Sequence, residues 1–131
     1  MSGGLLLDTC TLLWLAADQS RLSARARDAI AAESAGLHVS AITAFEIGVK
    51  HAQGRIVLPM DPWRWLRTAI AHHGLFSVSI TARIALEATR LPALHRDPCD
   101  RIIVATARRR RMTIVTPDER IAAYPNVRTL W

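Results

Sequence analysis

Four carboxylates stand where short apolar runs meet helices: Asp8 after LLL, Glu46 in TAFE, Asp100 in HRDPCDRIIVATA and Asp118 in TPDE. Each has a purely structural explanation. Asp8 can cap the helix that follows it, and Thr43 with Glu46 has capping-box spacing. Asp97 before Pro98 reads as a cap followed by a first-turn proline. That places Asp100 at the third helical position, where an acid meets the positive end of the helix dipole. Around Asp118, Thr116 can cap, Pro117 can open the helix and Glu119 can complete a box. Capping, however, does not require the four acids to meet. If they do meet, unpaired carboxylates in one pocket repel, and a divalent cation relieves the conflict. Oxygen ligands suit Mg²⁺ or Mn²⁺. Zinc is disfavoured, because Cys10 and Cys99 are far apart in sequence and His72–His73 lacks ligand spacing.

The rest of the composition gives this acidic set a setting. The chain has 131 residues, half of them hydrophobic, with 17 Lys and Arg against 11 Asp and Glu and a formal net charge of +6. That is enough apolar residue for one globular domain over 1–131, and the charge excess suits a polyanionic partner. A metal centre that handles phosphoryl oxygens, with arginines outside it to hold the backbone, points to phosphodiester chemistry. Arg96 and Arg101 flank the acids and are the expected phosphate-steering groups. The run Arg108–Arg111 compensates a helix C-terminus or touches RNA. Two cysteines are too few for a secreted disulfide scaffold and read as small buried thiols. The apolar run Leu5–Ala17 is interrupted by Asp8 and has no basic residue before it, which argues against a signal peptide. No stretch reaches membrane-spanning length, so a soluble cytoplasmic protein is expected.

These acids need elements to carry them. GLLLD reads as a buried strand, TCTLLWLAA as a helix, and SARARDAIAAESAG as a second helix capped by Ser23 and stopped by Gly36. LHVS is a strand, AITAFEIGVKHAQG a helix, and DPWRWLRTAIAHHG a helix capped by Asp61. FSVSI, TIVT and VRTL are further strands, with helices over ARIALEATR, from Pro98 to about Arg110, and over DERIAA. Short apolar strands alternating with helices predict a parallel sheet covered on both faces. In such sheets the functional crevice lies beyond the carboxyl ends of the strands. Asp8 and Asp118 each close a strand, so both are expected there.

Taken together, LLLDT, SAITAFEI, LPALHRDPCDRIIVATA, TIVTPDE and YPNVRTLW resemble the PIN-domain ribonucleases, most of all the VapC-type toxins of toxin–antitoxin pairs. The resemblance spans the chain in order. It implies an α/β fold, a three-layer α/β/α sandwich with a short, mostly parallel central sheet, and Mg²⁺- or Mn²⁺-dependent RNA hydrolysis. It also implies a homodimer and a cognate antitoxin that covers the site. Carried over by position, the catalytic set is Asp8, Glu46, Asp100 and Asp118, with Asp8 and Asp100 as direct metal ligands. Asp97 belongs to the DPxD pattern and is kept as a helix cap, while Ser40 and Thr116 are implied as hydroxyls lining the site. Cys99 stands where relatives often carry phenylalanine.

Other acidic-pocket folds fit less well. A haloacid-dehalogenase-type phosphatase needs an aspartate where Cys10 stands. A receiver domain needs paired acids after the first strand and a later strand-end lysine, and Lys50 is the only lysine. A structure-specific DNA nuclease is the nearest enzyme alternative, and a non-catalytic binding module is the alternative of another class. Trp14, Trp63, Trp65 and Trp131 are assigned no base-stacking role. Trp65 is expected in the core or an interface, and the WRWL segment could meet a dimer mate or antitoxin.

Overall fold

The structure, a computed structural model, describes residues 3–131; Met1 and Ser2 of the expected 1–131 domain lie outside the described residues. Five parallel strands form one sheet in the order β3-β2-β1-β4-β5. They are β1 (Leu5–Leu7), β2 (Leu37–Ser40), β3 (Leu75–Val78), β4 (Thr113–Val115) and β5 (Arg128–Leu130). Leu5, Leu6 and Leu7 pair with Leu37, His38 and Val39 on one side and with Thr113, Ile114 and Val115 on the other. The central strand is therefore buried by neighbours in its plane as well as by helices above and below. That explains why its sequence is uniformly apolar rather than alternating.

Successive β1 side chains point to opposite faces. Leu5 and Leu7 join Val39, Leu75 and Val115 in a core with α1 (Thr9–Ala17), α2 (Ala24–Ala32), α3 (Ala41–Ala52) and α4 (Pro62–His73). Leu6 joins Ile114 and Val78 on the other face, beneath α6 (Pro98–Arg110) and α7 (Glu119–Ala122). There α5 (Ala82–Thr89) packs on α6 through Ile84, Ala88 and Ala105. This is the three-layer α/β/α arrangement expected from the sequence. The chain moves from β1 outward to β2 and β3, then returns to place β4 on β1's other side. The switch point of the sheet thus lies between β1 and β4.

Several helix ends differ from the sequence reading. α2 stops at Ala32 rather than running to Gly36, because the Glu33 side chain accepts a hydrogen bond from Ala35 N–H at 2.9 Å and turns the chain early. Gly36 (φ 115°) serves the entry to β2, where a Cβ would sit 2.9 Å from the His38 ring. α3 is capped by Ser40, whose hydroxyl accepts from Ile42 N–H, so the Thr43–Glu46 capping box is not used. Asp118 itself caps α7, while Thr116 Oγ1 accepts the Asp118 N–H. Ser23, Asp61 and Asp97 cap α2, α4 and α6 as expected.

Candidate metal and catalytic site

Asp8 leaves β1 and Asp118 follows β4, so neighbouring parallel strands deliver both to the same sheet edge. Asp8 is nearly buried and caps α1, its Oδ1 accepting the Thr11 N–H at 2.9 Å and the Cys10 thiol at 3.2 Å. Thr11 Oγ1 donates to the Val115 carbonyl at 2.7 Å, tying this cap to β4. Asp100 enters in the first turn of α6 and Glu46 in the second turn of α3, two helices that contact each other.

The electrostatics of Asp100 reflect the acids around it. Burial, then the Asp97 and Glu46 carboxylates, push its carboxyl up to about 6; Asp8 adds to the shift and His95 opposes it. Acids from α1, α3 and α6 therefore act on a single oxygen pair. Asp118 goes the other way. Burial opposes its ionisation, but the Arg120 side chain and backbone N–H outweigh that and hold the carboxyl below its usual value. Glu46 is fixed from both sides, by the Thr9 hydroxyl at 2.7 Å on Oε1 and by Lys50 Nζ at 3.2 Å on Oε2.

The sequence reading missed His95. It is buried, with Nε2 2.7 Å from Asp100 Oδ2 and 3.7 Å from Asp118 Oδ2, yet in no aligned hydrogen bond. One ligand atom each from His95, Asp100 and Asp118 lie within 4.8 Å of one another. An imidazole thus stands among the expected oxygen donors. Asp8 and Glu46 act on Asp100 from outside that tight triplet. The repelling acids around Asp100 are an oxygen donor set suited to a divalent cation.

Arg101 corrects a second expectation. Its guanidinium does not face the acids. It donates to the carbonyls of Ala88, Leu91, Pro92 and His95 and to the Tyr124 hydroxyl, at 2.8–3.4 Å. It holds the loop between α5 and α6 and is not available to phosphate. Arg96 is exposed and precedes Asp97 in the chain. Ser40 and Thr116 are buried, and their hydroxyls make the local backbone hydrogen bonds described above. The cysteines are held as thiols. Burial and the Asp8 carboxylate push Cys10 far upward, and burial with nearby acids pushes Cys99 up to about 11, so neither is a ready nucleophile. Trp65 lies in the core, Trp63 is exposed, and Trp14 packs on Trp131 at 5.7 Å. At the far end of α6, a cavity of about 490 Å³ is lined by Glu87, Arg90, Leu91, Ala105, Arg108, Arg109 and Arg111. Arg109 pairs there with Glu87.

Comparison with known proteins agrees with this architecture. Residues 5–127 match the family model of the PIN domain. The chain is 36% identical over 129 residues to ribonuclease VapC22 of Mycobacterium tuberculosis, covering 96% of this chain and 97% of that protein. Its fold is similar to that in a DNA-bound VapBC from Salmonella typhimurium, with a TM-score of 0.70, 17% identity, and coverage of 99% and 98% of the two chains. It is also similar to VapBC2 of Rickettsia felis bound to a promoter DNA fragment, with a TM-score of 0.67, 14% identity and 96% of each chain covered. The order of strands, the acids at the switch point and the full-length likeness to a ribonuclease VapC agree. The chain belongs to the PIN-domain family, as a VapC-type member.

Proposed function

We propose that this chain, acting as one PIN-like nuclease domain over 1–131, is a metal-dependent endoribonuclease and the toxin of a toxin–antitoxin pair. The observation that carries the reading is the gathering of Asp100 and Asp118 around His95 at the carboxyl edge of a parallel sheet, with burial and three other acids pushing the Asp100 carboxyl upward. That is the charge balance of a site built around a cation. Asp8 and Asp100 would hold the cation directly, and Glu46 and Asp118 would complete the catalytic set. Held there, Mg²⁺ or Mn²⁺ would supply Lewis-acid activation of a water and charge compensation at the leaving 3′-oxygen.

The chain's own groups supply the rest. Thr9 and Lys50 hold Glu46 in one orientation, and Arg120 holds Asp118. Arg120, exposed and paired with Asp118, and Arg96, exposed and next to Asp97 in sequence, draw RNA phosphates toward carboxylates that would otherwise repel them. The ribonuclease name of the VapC22 relative supports RNA as substrate, and the VapBC structures support a cognate antitoxin. A homodimer completes the assembly, and exposed Phe45 and Trp63 are surfaces for such partners. No helix among the described residues is long and apolar enough to cross a membrane, and the protein is proposed to work in the cytoplasm.

The test is purified wild type beside Asp8→Asn and Asp100→Asn, incubated with total RNA and with single-stranded DNA, in Mg²⁺ and then in chelator. Expected are RNA fragments with 5′-phosphate and 3′-hydroxyl ends from wild type alone, abolished by chelation, and growth arrest from wild type alone on expression. Equal cleavage by all three proteins overturns the reading. So do 2′,3′-cyclic phosphate ends, which require attack by the substrate's own 2′-hydroxyl.

A further inference from the structure

His95 is the buried polar group that the four-acid scheme leaves without a task. Its burial could be that of an ordinary core histidine, but such a ring has both nitrogens satisfied. Here one is satisfied and the other is not. Nδ1 accepts the Asp97 backbone N–H at 3.3 Å. A nitrogen that accepts cannot carry the proton, so the proton sits on Nε2. That Nε2–H lies 2.7 Å from Asp100 Oδ2 and 3.7 Å from Asp118 Oδ2, with no aligned partner.

The ring is also held from behind. The His95 main-chain oxygen accepts from Arg101 Nη1 and from the Tyr124 hydroxyl, each at 3.4 Å. Arg101 in turn binds the Ala88, Leu91 and Pro92 carbonyls of the same loop. The segment from α5 to α6 is thereby fastened at a height that drives one imidazole between two carboxylates from different helices.

We infer that His95 is a positioning residue of the metal site: its Nε2–H sets the Asp100 carboxylate and its ring stands between Asp100 and Asp118, with Arg101 and Tyr124 fixing the loop that presents it. The inference rests on the metal-site reading above. A protonated Nε2 has no lone pair to give an ion, so His95 acts through the acids rather than as a ligand. Its short contact is with Asp100 Oδ2, and among the described residues Oδ1 accepts no hydrogen bond, which leaves it for the cation. Asp118 Oδ2 approaches the same nitrogen from α7 to 3.7 Å, beyond hydrogen-bond reach, so the ring acts as a spacer between the two acids. Groups that orient metal-ligating carboxylates in this way set affinity as well as activity.

The test measures binding of Mn²⁺ alone to the full chain, stripped of metal, by calorimetry. The proteins are wild type, His95→Ala, His95→Gln and Asp100→Asn. His95→Ala is expected to bind Mn²⁺ at least about tenfold more weakly, and His95→Gln, which restores an N–H donor, to recover most of the loss. His95→Met, which fills the space without a donor, replaces the alanine variant should that one not fold. Pulsed electron paramagnetic resonance of Mn²⁺-loaded wild type, with and without ¹⁵N-histidine, is expected to lack a directly bonded nitrogen coupling. Wild-type affinity in His95→Ala or His95→Met beside a lost site in Asp100→Asn overturns the His95 role and leaves the metal site standing. Failure of His95→Gln to recover any affinity overturns the donor argument, and a direct nitrogen coupling makes His95 a ligand and overturns positioning. Wild-type affinity in Asp100→Asn removes the metal-site reading itself, and the inference with it.

Discussion

Lys50, the only lysine in the chain, lies 3.2 Å from Glu46 one turn earlier on α3. The other Glu46 oxygen accepts the Thr9 hydroxyl at 2.7 Å, and Thr9 is buried against Thr43. A carboxylate on an ordinary surface needs neither partner. One placed beside Asp8 and Asp100 needs both, because its negative charge must be balanced locally and its orientation kept. Thr9→Val removes the donor with little change of shape and leaves a half-buried carboxylate oxygen unsatisfied. Chemical denaturation should show a loss of about 1–3 kcal/mol. Lys50→Met should cost less, about 1 kcal/mol at most, since that pair is partly exposed. Both should lower RNA cleavage by more than their stability loss explains. Wild-type turnover in a folded Thr9→Val protein would remove Glu46 orientation from the mechanism.

Asp100 gives the site a pH dependence with a definite sign. Its carboxyl titrates near 6 in the folded protein against 3.8 without the fold. Between those values the folded state holds a proton that the unfolded chain has released. The stabilisation from this group is therefore complete below about pH 3.8 and is lost as pH rises through 6. Metal-stripped protein should show this loss in its melting temperature across that window, and Asp100→Asn should flatten it. Saturating Mn²⁺ should reverse the trend, because a cation stabilises the ionised form. A melting temperature in stripped wild type that rises steadily from pH 4 to pH 7 by the same amount as in Asp100→Asn would contradict the assigned environment.

How far the sequence alone leads can be judged from these same residues. Asp8 and Asp118 were legible because Asp8 directly follows LLL and Asp118 closely follows the short strand TIV, and buried parallel strands have such apolar runs. Asp97 was legible as a cap because Pro98 fixes the helix start. Thr43 and Thr116 misled, since capping spacing fits several registers and tertiary packing selects one. Ser40 and Asp118 won because each lies directly at the strand-to-helix corner. Arg101 misled for a geometric reason. It is adjacent to Asp100 in sequence, but neighbours on a helix point about 100° apart, and that rotation carries it from the acids to the loop carbonyls. His95 left no signal, because its burial depends on Tyr124 and α7, which lie far along the chain.

Asp97 separates a capping role from a catalytic one. Its Oδ1 accepts the Cys99 N–H at 2.9 Å, and its charge raises the Asp100 carboxyl. Asp97→Asn keeps an acceptor for the cap and removes the charge. Stability should stay near wild type, while the Asp100 titration seen by carbon-detected nuclear magnetic resonance moves downward. Asp97→Ala should lose about 1 kcal/mol through the missing cap. If Asp97→Asn abolishes cleavage while its fold and the Asp100 titration both match wild type, Asp97 is more than a cap.

Arg101 carries the largest expected stability effect of any residue near the site. Four carbonyls and one hydroxyl converge on a single guanidinium, and the Ala88, Leu91 and His95 carbonyls among them belong to buried or half-buried surroundings. A lysine has one compact ammonium and cannot span acceptors arranged around a planar fork. Arg101→Lys should therefore lose about 2–3 kcal/mol, close to Arg101→Ala, because most of the carbonyls stay unpaired in both. The damage should not stop at folding. With the loop released, His95 no longer sits between Asp100 and Asp118, and Mn²⁺ affinity should fall in step with the loss seen for His95→Ala. Hydrogen exchange should report the release directly, as faster exchange of the Asp97 amide that His95 Nδ1 accepts. An Arg101→Lys protein with full stability, a protected Asp97 amide and weakened RNA affinity would return Arg101 to the phosphate-steering role its place in the sequence suggests.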